Sequence, residues 1–319
     1  MKNSVLIVLL IFSANVVLGQ LPGEKKWKES LIKNHVQTQA QWNHKYEKGK
    51  PKKDGYKNYT KKFDLNGNII EEVYYQSGNV DQKLSYKYDD KDNQVEYANY
   101  KGEEGKLLFK QNITYDNSGQ KIREERFNGT EYQIIKYNYT GEKLSEITRS
   151  DIYGYVEHKR VFKYTGNICT ISILDDQSNN IGKIINKYDN NDNIIESTEY
   201  DINGNIKEKY LYTFNGNLAK EKSKFAGENF IYKEIYEYNT NDQLIKVIKE
   251  EPKGKTVVNN IYEYDSAGRL IEEQWHDNHP SENSKKTYFY DSKGLLEKVE
   301  VYYALYRYRI QYRYEYTYY

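Results

Sequence analysis

Tyr188-Asp189-Asn190-Asn191-Asp192-Asn193-Ile194-Ile195 returns in variant form from Phe63 to the end of the chain, and that recurrence decides the fold. Phe63-Asp64-Leu65-Asn66-Gly67-Asn68-Ile69, Tyr115-Asp116-Asn117-Ser118-Gly119-Gln120-Lys121-Ile122, Tyr264-Asp265-Ser266-Ala267-Gly268-Arg269-Leu270-Ile271 and Tyr290-Asp291-Ser292-Lys293-Gly294-Leu295-Leu296 are clear copies. Looser ones begin at Tyr88, Tyr139, Tyr164, Tyr212 and Tyr238, so ten copies follow one another at intervals of 24 to 27 residues. A period this regular marks a repeat architecture.

Each copy opens with turn chemistry. An Asp or Asn side chain folds back onto the backbone two residues on, and Gly or Asn accepts the positive φ of a tight reversal. Seven copies place Gly there: Gly67, Gly119, Gly141, Gly166, Gly216, Gly268 and Gly294; the others use Asp92, Asp192 or Asp242. The run that follows, such as Ile194 to Tyr200, alternates with period two, which is a strand. About a dozen residues on comes a second turn, for example Asp201-Ile202-Asn203-Gly204-Asn205, and then a strand into the next copy. Second turns vary in length, from Asn128-Gly129 to Trp275 through Ser281.

Each unit is therefore a β-hairpin stacked edge to edge on its neighbours. The expected fold is all-β, a tandem hairpin array of about ten units forming one long twisted, curved or spiralling antiparallel sheet, spanning 63–319. No Pro- or Ser-rich linker interrupts it.

Composition fits a thin sheet with little conventional core. Hydrophobic residues make up 37% and charged residues 30% of 319, and mean hydropathy is −0.99. Tyrosine occurs 36 times, several-fold above ordinary usage. Its ring packs while its hydroxyl stays wet, so cross-strand Tyr pairs and Lys stems can hold such a sheet. Disordered chains lack this aromatic and β-branched content.

Residues 1–19 have the parts of a secretory signal peptide: Lys2, the apolar run Val5 to Phe12, and Val17-Leu18-Gly19 before an expected cleavage at Gln20. The apolar run is too short to span a membrane, so no transmembrane helix is expected after cleavage. No Cys follows it to carry a lipoprotein anchor. The lone Cys169 sits in a strand pattern and reads as a small buried hydrophobe.

Residues 20–62 carry twelve lysines against four acids and form a basic N-terminal capping segment. Glu24 to Lys33 reads as a short helix with Trp27 and Leu31 on one side; Val36, Thr38, Ala40 and Trp42 alternate as a strand before a turn at 49–55. The segment is expected to cover the first exposed edge of the array. Lysines without arginine or a recognised motif do not point to nucleic acid.

Tyr115 to Ile122, Tyr264 to Ile271 and Tyr290 to Leu296 resemble the Rhs or YD repeats of bacterial surface and toxin-associated proteins: Tyr-Asp, two variable residues, Gly, a variable residue, then Leu or Ile. The resemblance implies hairpins wound into a curved or spiralling sheet, which in long family members encloses a cargo polypeptide. Ten repeats are expected to be too few to close such a shell, and neither a core junction nor a toxin domain is recognised after the array, so toxin delivery is not expected. A weaker similarity is to MORN-like repeat proteins.

Catalytic and metal motifs fail on inspection. Asp189-Asn191-Asn193 mimics the start of a calcium loop, but Ile194 stands where Gly is required and Tyr200 where Glu is. His276 and His279 lie in a variable turn beside Pro280. No nucleophile elbow or phosphate-cradling loop is present, so no cofactor is expected.

The functional expectation is an exported, non-enzymatic scaffold in the bacterial periplasm, on the cell surface or secreted, binding a protein or polysaccharide partner. Trp275, Tyr302, Tyr303, Tyr306 and Tyr308 are its candidate contacts, because aromatics favour binding surfaces. The alternatives are a polysaccharide-active enzyme with carboxylates on the sheet face, and an outer-membrane β-barrel, which needs an apolar band on every strand.

Overall fold

The computed structural model describes residues 24–277 and 281–319; the signal segment, the cleavage position and His279 lie outside them. A helix, α1 (Glu24–Lys33), leads into strand β1 (Val36–Glu47), a two-residue strand β2 (Lys50–Pro51) and β3 (Tyr56–Phe63). Antiparallel strands of 6 to 11 residues then follow to the last, Tyr308–Tyr318.

The array is not an open or spiralling sheet. β1 pairs with β3 on one side, from Thr38 opposite Lys62 to Asn43 opposite Tyr56. On its other side it pairs with the last strand, from Val36 opposite Tyr318 to Lys45 opposite Ile310. With β2 set apart in a small hairpin on β1, the result is a closed barrel of 22 antiparallel strands. The segment expected to cover an exposed edge is thus the joint between the two ends of the array. Closure removes both edges, each a row of unpaired backbone groups open to other chains. Of the sequence-based readings, the outer-membrane barrel is the one whose closed architecture is found.

The motif turns share one rim and the second turns the other. Asp189 Oδ1 accepts the Asn191 and Asn193 amides at 2.8 and 2.9 Å, and Asp291 accepts those of Lys293 and Leu295 at 2.9 and 2.8 Å. In the five-residue turns the fourth residue is left-handed, as at Gly268 (φ 77°) and Asp192 (φ 62°), whereas in the tight turns at Gly141, Gly166 and Gly216 the left-handed glycine directly follows the strand. Asp151, Asp175 and Asp201 build the same turn on the opposite rim.

At most of the turns a tyrosine ties one turn to the one before, the exceptions being Tyr164, which bonds Cys169, Tyr188, which bonds Asn186, and Tyr212. Tyr88, Tyr115, Tyr139, Tyr238, Tyr264, Tyr290 and Tyr316 donate to the carbonyls of Ile69, Gln94, Lys121, Ala219, Leu244, Leu270 and Leu296, at the start of the preceding repeat's outgoing strand. Tyr319 donates in the same way to the Phe63 carbonyl, beyond β1. Phe63, the copy without a hydroxyl, is instead fully buried beneath α1 with Leu31, Val36 and Leu295.

Helix α1 identifies the inside. It touches turns on both sides of the joint: Ile32 meets Gly67, Ser30 and Asn34 meet Gly294 and the Lys293 carbonyl, and Lys26 meets Gly268. Six strand spacings along the wall are about 29 Å, whereas a helix of ten residues is about 15 Å long. Side chains at both ends of α1 close that gap, which is shortest on the concave side, and Trp27 sets its ring edge against Phe63 there at 5.7 Å.

Candidate functional site

Following the ladder from Phe63 and Trp27 separates the two faces of the wall. The inner face carries most of the tyrosines: Tyr59 faces Tyr74, and Tyr86 faces Tyr97, which in turn meets Phe109. Side chains there meet across an intervening strand, as when Tyr59 bonds Tyr314 over Gln41, because a concave surface converges them. The outer face is a Lys and Glu ladder whose ion pairs join adjacent strands: Lys87 with Glu96 at 2.9 Å, Lys187 with Glu196 at 3.0 Å, Lys285 with Glu272 at 3.0 Å.

The sequence candidates divide between these surfaces. Trp275, Tyr303 and Tyr308 come together on the inner wall near the second-turn rim, with ring centroids 5.9 Å apart for Trp275 and Tyr303 and 6.2 Å for Tyr303 and Tyr308. Tyr302 points outward, donating to Glu282 at 2.8 Å beneath the Arg309 guanidinium. Tyr306 stands at a turn tip, 75% exposed.

The inner group rests on an apolar bed of Val299, Val301 and Ile310, so Trp275 and Tyr303 are held in place, while Tyr308 stays 39% exposed. Lys286 lies 5.2 Å over Trp275, and Tyr312 hydrogen-bonds Tyr303. Lys286 and Tyr312 were missed in the sequence. The alternation of the C-terminal tail was the signal for Tyr312; Lys286 joins only through its register opposite Val301.

Inner carboxylates are engaged. Glu124 is fully buried and accepts from Gln111 at 2.6 Å and Tyr137 at 3.1 Å, with Lys121 and Arg126 on its oxygens. Burial opposes its ionisation, but the two cations outweigh it and hold the carboxyl below its usual range. Glu72 takes Tyr74 and Tyr86 at 2.7 and 2.9 Å and Lys61 at 3.3 Å. These tyrosines are pushed above the ordinary phenol range by burial first and by the carboxylate second.

Cys169 is buried, and burial pushes its thiol up. Among the described residues no group of three or more His, Cys, Asp or Glu could hold a metal.

These observations define a closed antiparallel barrel with a tyrosine-rich inner wall and a charged outer one. No family model matches the chain, and no curated protein does. Among solved structures it is distantly similar to TcdB2-TccC3, at 13% identity and TM-score 0.34, over 84% of this chain and 15% of that one. A porin-like protein from Bacteroides uniformis matches at 10% identity and TM-score 0.30, over 74% of this chain and 95% of that one. A second, from Bacteroides vulgatus, matches at 10% and 0.26, over 89% and 99%. This chain thus spans 15% of the length of the TcdB2-TccC3 chain.

Proposed function

We propose that this chain is an exported, non-enzymatic barrel of the bacterial envelope that holds a polysaccharide strand against its inner wall. The observation that supports this reading is the rigid inner platform of Trp275, Tyr303 and Tyr308 at the rim away from α1. Aromatic rings offer large apolar faces at low entropy cost, and sugar rings present matching apolar faces with hydroxyls at their edges. Amides on the same wall, such as Gln82 hydrogen-bonded to Asn99 at 2.9 Å, suit those hydroxyls. Engagement of Glu72 and Glu124 by tyrosine and lysine or arginine partners favours binding over hydrolysis.

The test is titration of soluble bacterial polysaccharides against tryptophan fluorescence, with reducing ends assayed in parallel. Saturable quenching lost in Trp275→Ala supports the reading. Quenching by extended peptides alone would assign a protein partner, and release of reducing ends would make the chain an enzyme.

A further inference from the structure

Exposed apolar residues gather at one rim. Tyr153, Tyr155 and Tyr306 stand at second-turn tips, 81%, 76% and 75% exposed, beside Ile152, Ile202 and Leu305. Just behind the tips, Leu108, Ile181, Ile231 and Val258 are also exposed. Phe127 with Tyr132, and Phe225 with Phe230, pair at 4.6 and 5.7 Å on neighbouring strands at the same level. Ion pairs stand between these patches at the rim, as with Lys255 and Glu251 at 3.2 Å, and farther from it they cover the outer face, as with Lys110 and Glu96 at 2.8 Å.

We propose that this rim seats in a lipid surface while the barrel wall stays in water. A spanning barrel needs an apolar band about 25 Å tall. On the strands that carry it the collar covers one or two residues at about 3.3 Å apiece, less than 10 Å with the tips, which is the depth of an interfacial anchor. Tyrosine, with an apolar ring and a wet hydroxyl, is the side chain enriched at that level.

A second copy docked end to end fits less well. The rim is uneven, with the tight turn at Ser77 and Gly78 beside five-residue turns such as 151–155, and a rigid partner would leave gaps that fluid lipid fills. The surface is independent of the polysaccharide reading.

The test is flotation of the exported, processed chain with vesicles of phosphatidylethanolamine and phosphatidylglycerol. The chain and its Leu65→Ser variant, altered at the opposite rim, should float; Y153S/Y155S/Y306S should bind roughly tenfold less or weaker still, with unchanged circular dichroism. An environment-sensitive dye on Tyr306→Cys should shift to the blue with vesicles, and one on Leu65→Cys should not. The proposal is overturned if the chain stays at the bottom, if the triple variant floats equally, if the Tyr306 dye does not respond, or if the rim substitutions instead dissolve a dimer.

Discussion

The Tyr290 hydroxyl donates to the Leu270 carbonyl at 2.7 Å, joining one motif turn to the turn before it. The bond repeats around the rim, so the tyrosine of the motif is a fastening between hairpins as well as a packing residue. Tyr290→Phe keeps the ring and leaves the carbonyl without this donor, at an expected cost of about 1 kcal/mol. Urea unfolding should show a lower midpoint at unchanged slope; an unchanged midpoint would mean that water replaces the bond at no cost.

Closure has a covalent test. Ala40 lies opposite Glu315 across the joint, 275 residues away in sequence. Directly opposed residues in an antiparallel pair sit within disulfide reach. Ala40→Cys with Glu315→Cys should oxidise to an intramolecular bridge that speeds migration on a non-reducing gel. An open spiral would leave both thiols free to alkylation.

Glu124 should be among the most sensitive positions. Removing it strands Lys121 and Arg126, whose side chains are only 26% and 23% exposed, so Glu124→Ala is expected to cost about 3 kcal/mol by thermal or urea unfolding. Glu71→Ala, on the exposed Lys83 pair at 2.6 Å, should cost under about 1 kcal/mol.

Tyrosine ionisation sets an alkaline limit. Burial pushes Tyr212, Tyr262, Tyr264 and Tyr290 up to about 12. A folded pKa above the unfolded value means that the native state holds the proton more tightly. Their stabilisation is full below about pH 10 and is lost between pH 10 and 12. Tyrosinate absorbance should therefore rise late and together with loss of the β-sheet circular dichroism; independent titration near pH 10 would contradict buried rings.

The turns respond to acid in the opposite sense. Bonding to Asn93 holds Asp89 below the usual carboxylate range, as bonding to Asn193 does for Asp189 and bonding to Asn205 for Asp201. A depressed folded pKa gives stability that is present above about pH 4 and lost as pH falls through the folded value. Replacing these aspartates by Asn should flatten the loss of thermal stability below pH 4.

Much of the fold is legible in the sequence. Helix Glu24–Lys33, the strand from Val36, the hairpin period and the aromatic face of the tail all follow from local chemistry: side-chain alternation, and Asp and Gly at fixed turn positions. The platform was half legible, because aromatic composition marked Trp275, Tyr303 and Tyr308 while strand alternation alone did not join three separate strands. Tyr302 neighbours Tyr303 in sequence and faces the other side of the wall, so alternation along one strand separates the two.

The sequence by itself determined the repeating hairpin and its turns, since these depend on contacts within a few residues. Only the tertiary structure decided that the sheet closes. Twist and stagger accumulate a little at each strand, and whether the last strand meets β1 depends on the sum over all 22. Closure then decided which face is inside, turning one side of a thin sheet into a tyrosine-lined interior and the other into a charged outer wall.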